Sequence, residues 1–253
     1  MPRTVREKSE SGIYHIILRG INKQVIFEED EDREKFIAVM SKYKHISNFE
    51  LYGYCLMDNH VHLLIKESAE PVAVIIKRIS SSFVYWYNRK YERCGHLFQE
   101  RFRSEAVDNE TYFLTVLRYI HQNPIKAWLS QKAEEYKWSS ASDYLRISML
   151  VNTSFALGLF SEDRSRAVIL FDKHMKEMTD EQCMENDDNH KVKTDQDVRL
   201  IFAGYGITDI TGFKRLEANR RNEIIRTIKK TGGITARQLS RVTGISKSLI
   251  NRI

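Results

Sequence analysis

Two histidines separated by one residue are the first pattern in this 253-residue sequence that could hold a metal ion. His60 and His62 border the apolar run 63–65, which predicts a buried β-strand. Alternate residues of a strand project from one face, so both imidazoles would lie side by side. Paired imidazoles can bind a divalent cation, but a His-apolar-His triplet also arises by chance. Alone, this pattern is a weak indication of a metal site.

A tyrosine and an asparagine further along the chain lie one helical turn apart. A helix is predicted to begin after Asp108 or Asn109, either of which is a suitable N-cap. Pro124 disfavours helical geometry at Asn123, so we expect the helix to end near that residue. Tyr119 and Asn123 are four residues apart and would share one face of this helix. A phenol hydroxyl and an amide oxygen would then face the same volume.

These residues resemble a known family as an ordered set. The segment 60–62, followed by 118–124, is similar to the motifs of the single-tyrosine HUH transposases, which are IS200-like, and most of all to their REP-associated branch. The likeness extends over residues 3–146. It is also carried, in the same order, by segments 11–16, 95–102 and 138–140 and by Tyr144.

The resemblance implies an enzyme that nicks and joins DNA. Tyr119 would attack a phosphodiester of single-stranded or hairpin DNA and form a 5′-phosphotyrosine, while Mg²⁺ or Mn²⁺ would be held by His60, His62 and Asn123. Many relatives carry glutamine where this chain has Asn123. Gln122 is therefore an alternative ligand, and Asn123 could instead cap the helix end. His15 is more typical of a partly buried strand histidine than of a ligand.

The order of predicted elements indicates the fold class. Strand, helix, strand, strand, helix, strand and helix follow one another, which predicts an α+β, ferredoxin-like antiparallel sheet with helices on one face. The additional helix would carry Tyr119. The predicted strands are 14–18, 49–57, 60–66 and the extended segment 95–107, and the predicted helices before Tyr119 are 29–44 and 71–91.

Basic residues alternate with aromatic ones around the second helix and after it. Cations follow phosphates and aromatic faces stack on unpaired bases, although a solvated charged face beside core aromatics has the same composition. The net charge of +6 and the pI of about 9.1 permit nucleic-acid binding without establishing it. The residues predicted to contact DNA here are Arg89, Lys90, Arg93, Arg101 and Arg103.

The C-terminal part of the sequence predicts a second, smaller domain. Residues 1–147 would form the transposase-like domain, 148–194 a helical extension and acidic linker, and 195–253 an all-α helix-turn-helix domain. Gly244 supplies the turn between the two helices of that motif. A helical docking module is the alternative for this domain. The residues predicted to face DNA are Ser246, Lys247, Ser248, Asn251 and Arg252.

The remaining composition narrows the class of protein. Three cysteines have no paired spacing, which favours a reducing cytoplasm. We expect no membrane partner, because no apolar run could span a bilayer and no signal peptide opens the chain. A monomer or homodimer is expected. The alternative to an enzyme is a regulator that has lost catalysis and binds DNA through the helix-turn-helix.

Overall fold

A computed structural model describes residues 7–99, 101–146, 150–177, 183, 195–205, 207, 213, 216–230, 234 and 236–252. The chain divides into two compact units, residues 1–184 and 185–253. Most of the predicted acidic linker lies outside the described residues. Within the described ranges, no helix is long and apolar enough to cross a membrane.

The first unit is built on a four-stranded sheet in which every described strand pairing is antiparallel. The strand order is β2-β3-β1-β4. This order, with a helix after the first strand and another after the third, confirms the predicted ferredoxin-like fold. The strands are β1 (Ile13–Arg19), β2 (Glu50–Met57), β3 (His60–Lys66) and β4 (Arg103–Ala106).

Helices cover both faces of this sheet. Helices α1 (Asp30–Ser47) and α2 (Val72–Lys90) pack together, and Ile76 of α2 lies beside Leu18 of β1. Helix α3 (Glu110–Lys126) packs on the opposite face, where Leu117 lies against Gly53 of β2. The sheet thus separates the structural helix pair from the helix that carries Tyr119.

Two predicted boundaries were wrong for local reasons. Only residues 103–106 of the predicted extended segment join the sheet, since residues 97–99 instead hydrogen-bond to the end of β1 and the loop after it. Helix α3 continues through Pro124 to Lys126, beyond the predicted end. The Asn123 carboxamide donates to the Tyr119 carbonyl oxygen at 2.8 Å, and the Ala127 amide bonds to the Asn123 carbonyl. These bonds maintain the helix although proline lacks an amide hydrogen.

Two short helices after the sheet pack against α3. Helices α4 (Ser154–Gly158) and α5 (Arg164–Lys176) are separated by a break within the segment that was predicted as helical. Phe171 of α5 stacks on Tyr144 with ring centroids 4.4 Å apart. The Tyr144 hydroxyl donates to the Tyr52 carbonyl oxygen on β2 at 2.6 Å. This part of the predicted extension therefore belongs to the core of the first unit.

The second unit is helical in its described part. Its helices are α6 (Asp195–Gly204), α7 (Ala218–Lys230), α8 (Ala236–Thr243) and α9 (Lys247–Arg252). Gly244 has a positive φ of 67°, as the predicted turn between α8 and α9 requires. Leu239 and Ile250 are fully buried in a core shared with α6 and α7.

Candidate active site

The two histidines of the first pattern lie on a central strand, as predicted. In β3, His62 pairs with Ile17 of β1 and His60 pairs with Arg19. The His60 and His62 rings are in contact, and the His62 ring contacts Tyr119, so both imidazoles lie on the face that α3 covers. The His60 Nδ1 atom lies 2.6 Å from the Asn59 carboxamide oxygen, which accepts its proton. This bond leaves the Nε2 atom of His60 as the one with a lone pair.

A third histidine completes the cluster, and the sequence had assigned it no role in chemistry. His15 of β1 is fully buried, and its Nε2 atom lies 3.0 Å from Nδ1 of His62. The two rings stack with centroids 5.3 Å apart. His15 lies diagonally across the strand pair from His62, a relationship that sequence spacing could not supply before the register of β1 and β3 was known.

Burial keeps all three imidazoles neutral. Desolvation and the Arg19 guanidinium lower the pKa of His60 to about 4. Desolvation, followed by the neighbouring imidazoles, lowers the pKa of His62 well below its ordinary value. For His15, desolvation lowers the pKa despite the opposing effect of the Glu105 carboxylate. Neutral imidazoles retain the lone pairs that metal ligation requires.

Tyr119 of α3 lies directly beside these histidines. Its ring centroid is 5.6 Å from that of His62 and 5.9 Å from that of His15, in edge-on arrangements. The absence of a side chain at Gly53 permits this approach, because a Cβ there would lie only 2.7 Å from Leu117 Cδ1. The predicted convergence of phenol and imidazoles is therefore present in the fold.

The polar neighbours of Tyr119 on α3 separate into different environments. The Asn123 nitrogen is held by the Tyr119 carbonyl, which leaves the carboxamide oxygen as the atom for an ion. Gln122 is buried and donates to the carbonyl oxygens of Met175 and Glu177, so it does not face the histidines and is not available as the alternative ligand. His121 contacts Ser140 instead, with 2.9 Å between Nε2 and Oγ.

The donor set fits a divalent cation. The His62 Nε2 atom is buried and has no hydrogen-bond partner among the described residues, which leaves its lone pair available for a ligand. Among the described residues, no group of three or more His, Cys, Asp and Glu side chains is arranged to hold a metal. The predicted set of two imidazoles and the Asn123 carboxamide oxygen is smaller, and it would leave coordination positions for phosphate and water.

One cation beside the nucleophile was absent from the prediction. The Lys126 Nζ atom lies 5.0 Å from the centroid of the Tyr119 ring. It is exposed and follows Tyr119 by two helical turns, so a helix that ended at Asn123 would not have presented it. Lys126 therefore places a positive charge against the ring of the proposed nucleophile.

The basic residues predicted to contact DNA differ in their surroundings. Lys90 is correctly placed on α2 but lies within 3.0 Å of the Glu29, Glu31 and Asp32 carboxylates. Desolvation lowers the pKa of Lys90, but hydrogen bonds to these carboxylates raise it more. Three carboxylates surround this single positive charge, so we do not include Lys90 among the residues proposed to contact DNA. Arg93 donates to the Gln24 side-chain oxygen at 3.1 Å.

The remaining arginines are exposed on the same unit. Arg89, Arg101 and Arg103 are exposed, and Arg103 is aligned with Ile17 at the edge strand β4. Arg101 borders a cleft of about 300 Å³ together with the rings of Phe98 and Phe102. This cleft combines positive charge with aromatic surface.

The helix-turn-helix residues are partly described. Ser246 caps α9 by accepting from the Leu249 amide at 3.3 Å. Ser246, Ser248 and Arg252 are exposed, which is compatible with a DNA-contacting surface. The side chains of Lys247 and Asn251 lie outside the described part of the structure.

Comparison with known proteins gives matches to both units. Residues 8–123 match the model of the IS200-like transposases, and residues 219–253 match that of the winged helix-turn-helix DNA-binding domains. The structure of a REP-associated tyrosine transposase bound to a REP hairpin is similar, with a TM-score of 0.50 and 14% sequence identity. The match covers 60% of this chain and 94% of that one, and at such identity it concerns the fold alone.

A second solved structure is that of a candidate transposase from Deinococcus radiodurans. It has 16% identity and a TM-score of 0.34, and the match covers 48% of this chain and 97% of that one. No curated protein sequence matches this chain. The family model begins before β1 and ends at Asn123 on α3, so it includes the whole sheet, the histidines and Tyr119. The first unit thus contains a region similar to the IS200-like transposases, and the second unit contains a region similar to the winged helix-turn-helix DNA-binding domains.

Proposed function

We propose that this protein nicks and rejoins single-stranded DNA through a covalent bond to Tyr119. The observation that carries the proposal is the 5.6 Å separation between the Tyr119 and His62 rings, which belong to a helix and a strand far apart in sequence. A nucleophile beside neutral, metal-competent imidazoles is the arrangement that phosphodiester transesterification requires.

The chemical step uses the side chains in distinct roles. His60, His62 and the Asn123 oxygen would hold the cation, and Mg²⁺ or Mn²⁺ bound there would polarise the scissile phosphate. The Tyr119 oxygen loses its proton and forms a bond to phosphorus, while the bond from phosphorus to the 3′-oxygen breaks. The 3′-oxygen gains a proton and leaves as a hydroxyl. Lys126 is close enough to balance negative charge that develops at the phenol and phosphate.

The product of this step determines how the strand is rejoined. The DNA on the 3′ side of the nick stays attached as a 5′-phosphotyrosine. A 3′-hydroxyl can later attack this bond, and the phosphodiester energy is conserved without ATP. We propose hairpin DNA as the substrate, since the similar transposase structure contains a REP hairpin. Exposed arginines of the first unit and the helix-turn-helix would supply the phosphate contacts.

A covalent-capture experiment tests the proposal. Hairpin oligonucleotides with single-stranded flanks, labelled at the 3′ end, are incubated with the full-length protein and Mn²⁺ and resolved under denaturing conditions. We expect a labelled protein adduct that Tyr119→Phe abolishes. Tyr85→Phe is a matched control because Tyr85 is 72% exposed on α2, and it should retain the adduct.

A second pair of measurements separates the enzyme from a DNA-binding regulator. His60→Ala should abolish the adduct and leave hairpin affinity within about threefold, because it removes a ligand rather than a DNA contact. If the wild-type protein binds a panel of hairpins tightly but forms no adduct with any of them, the regulator is the correct function. An equal loss of hairpin binding in His60→Ala would assign the histidines a structural role.

A further inference from the structure

The histidine cluster contains more hydrogen-bonding groups than metal ligation needs. His15 is not part of the proposed ligand set, yet it is fully buried and contacts His62 through ring nitrogens 3.0 Å apart. A buried imidazole costs stability unless its polar atoms are bonded. We therefore asked what the His15 imidazole does for the His62 imidazole that it contacts.

The atoms that face the two ring nitrogens of His15 indicate which nitrogen donates a proton and which accepts one. Its Nδ1 atom lies 3.5 Å from a carboxylate oxygen of Glu105 on β4 and has no other hydrogen-bond partner in the described residues. This distance is long for a hydrogen bond, and the Glu105 side chain is 30% exposed. A carboxylate only accepts, so a hydrogen bond along this contact requires the His15 proton on Nδ1.

That proton fixes the tautomer of the next ring. With Nδ1 protonated and the ring neutral, Nε2 of His15 can only accept, and the atom facing it is Nδ1 of His62. His62 must then donate from Nδ1, which leaves its lone pair on Nε2. This Nε2 atom is buried and lacks a hydrogen-bond partner within the described part of the chain. The same polarity holds at His60, where the Asn59 oxygen accepts from Nδ1.

We propose that Glu105 and His15 are positioning residues that form a proton-ordered chain and fix His62 as the Nδ1-protonated tautomer, with Nε2 presented to a divalent cation. This inference rests on the proposed function for the identity of the cation. The chain begins on the edge strand β4, passes through β1 and ends on β3, so it crosses three adjacent strands. Tyr112 of α3 also hydrogen-bonds to Glu105, which links the carboxylate to the helix that carries Tyr119.

The tautomer of His62 is the direct test, and it needs neither metal nor DNA. Long-range ¹H–¹⁵N NMR correlations of the metal-free protein distinguish a protonated Nδ1 from a protonated Nε2. We expect Nδ1 protonation at His62 in the wild type and a shift toward Nε2 protonation in His15→Leu. Wild-type protein with Nε2 protonated at His62 would overturn the proposal, whether or not the covalent adduct forms.

Metal affinity gives a second readout with conservative variants. Mn²⁺ titration should give about 10- to 100-fold weaker binding for His15→Leu and a smaller loss for Glu105→Leu. Glu105→Gln retains an acceptor oxygen and should restore most of the affinity lost in Glu105→Leu. His121→Leu is the matched control, because it removes an equally buried imidazole outside the cluster. Equal Mn²⁺ affinity in wild type and both leucine variants at positions 15 and 105 would refute the chain.

Discussion

The Gln122 carboxamide nitrogen donates to the Met175 carbonyl oxygen at 2.8 Å, which fixes the Tyr119 helix to the end of α5. The same nitrogen lies 3.1 Å from the Glu177 carbonyl oxygen. Arg118, one residue before Tyr119, lies 3.6 Å from the Glu177 carboxylate. Helix α3 is therefore held between the sheet on one side and residues 175–177 on the other.

This contact predicts a loss of stability when it is removed. Gln122→Ala should lower the free energy of unfolding by about 1–3 kcal/mol, because the buried Met175 carbonyl oxygen and the partly buried Glu177 carbonyl oxygen lose their donor. Urea denaturation measures the change. Gln131→Ala, at an exposed position, is the control and should be nearly neutral. If both variants had the same stability as the wild type, α5 would not be bracing α3.

Gly53 should tolerate no side chain. Gly53→Ala would place a Cβ 2.7 Å from Leu117 Cδ1, so the fully buried Leu117 side chain, on the helix that carries Tyr119, must shift. We expect a loss of about 1–3 kcal/mol in unfolding free energy. Adduct formation should fall as well if the shift of Leu117 displaces α3, because Tyr119 lies on the same helix.

Gly158→Ala is the matched control for this substitution. A Cβ at Gly158 meets nothing within 4 Å, and the residue lies in α4. It should be neutral or stabilising by up to about 1 kcal/mol. If both variants lost a similar amount of unfolding free energy, the effect at Gly53 would come from replacing glycine in the backbone and not from the contact between α3 and the sheet.

Stability should fall as the solution becomes mildly acidic. Burial lowers the pKa of His60 to about 4 and that of His121 to about 3, and it also lowers the pKa values of His15 and His62. Below pH 6.5 the unfolded chain binds protons that the folded protein does not, so the unfolding free energy decreases toward pH 4. The slope is about 1.4 kcal/mol per pH unit for each such histidine.

Urea denaturation of the metal-free protein at pH 7.5, 6.0 and 5.0 checks this dependence. Above pH 6.5 these histidines are neutral in both states and contribute no slope. His121→Gln should reduce the slope by about 1.4 kcal/mol per pH unit, the contribution of one proton. A constant unfolding free energy from pH 7.5 to 5.0 would contradict the prediction.

Two basic residues should behave differently in DNA binding. Arg101→Gln should weaken hairpin affinity and reduce the salt slope of log K by about 0.7–0.9, as expected for one lost phosphate contact. Lys90→Gln should leave both quantities unchanged, because three carboxylates already surround that ammonium. It should instead destabilise the fold, since Asp32 is fully buried and loses its cation. A DNA-binding defect in Lys90→Gln with normal stability would restore it to the interface.

The sequence predicted the elements whose patterns are local. Strand β3 was predicted with its observed bounds because alternation and an apolar run define a strand without reference to the rest of the chain. The fold class followed from the order of such elements. The ring contact of Tyr119 with His62 agrees with the expectation derived from the motifs.

The features that were missed depend on tertiary contacts. His15 joins the cluster only through the register of β1 on β3, and Glu105 through that of β4 on β1. Lys90 was assigned to DNA because its carboxylate partners lie on α1, far away in sequence. The predicted helix was too short because the prediction used only the effect of proline on the preceding residue. It could not include the hydrogen bonds from the Asn123 side chain to Tyr119 and from the Ala127 amide to Asn123.

Pro124 gives the Tyr119 helix a local weakness with a kinetic consequence. Position 124 has no amide hydrogen to donate to the Ile120 carbonyl, so the last turn of α3 has one helical bond fewer than its neighbours. Amide protons of His15 and His62, on the two inner strands, should exchange with deuterium only when the whole domain opens. Those of residues 125–126 should exchange much sooner, so the nucleophile lies beside a segment that opens on its own while the histidines stay fixed.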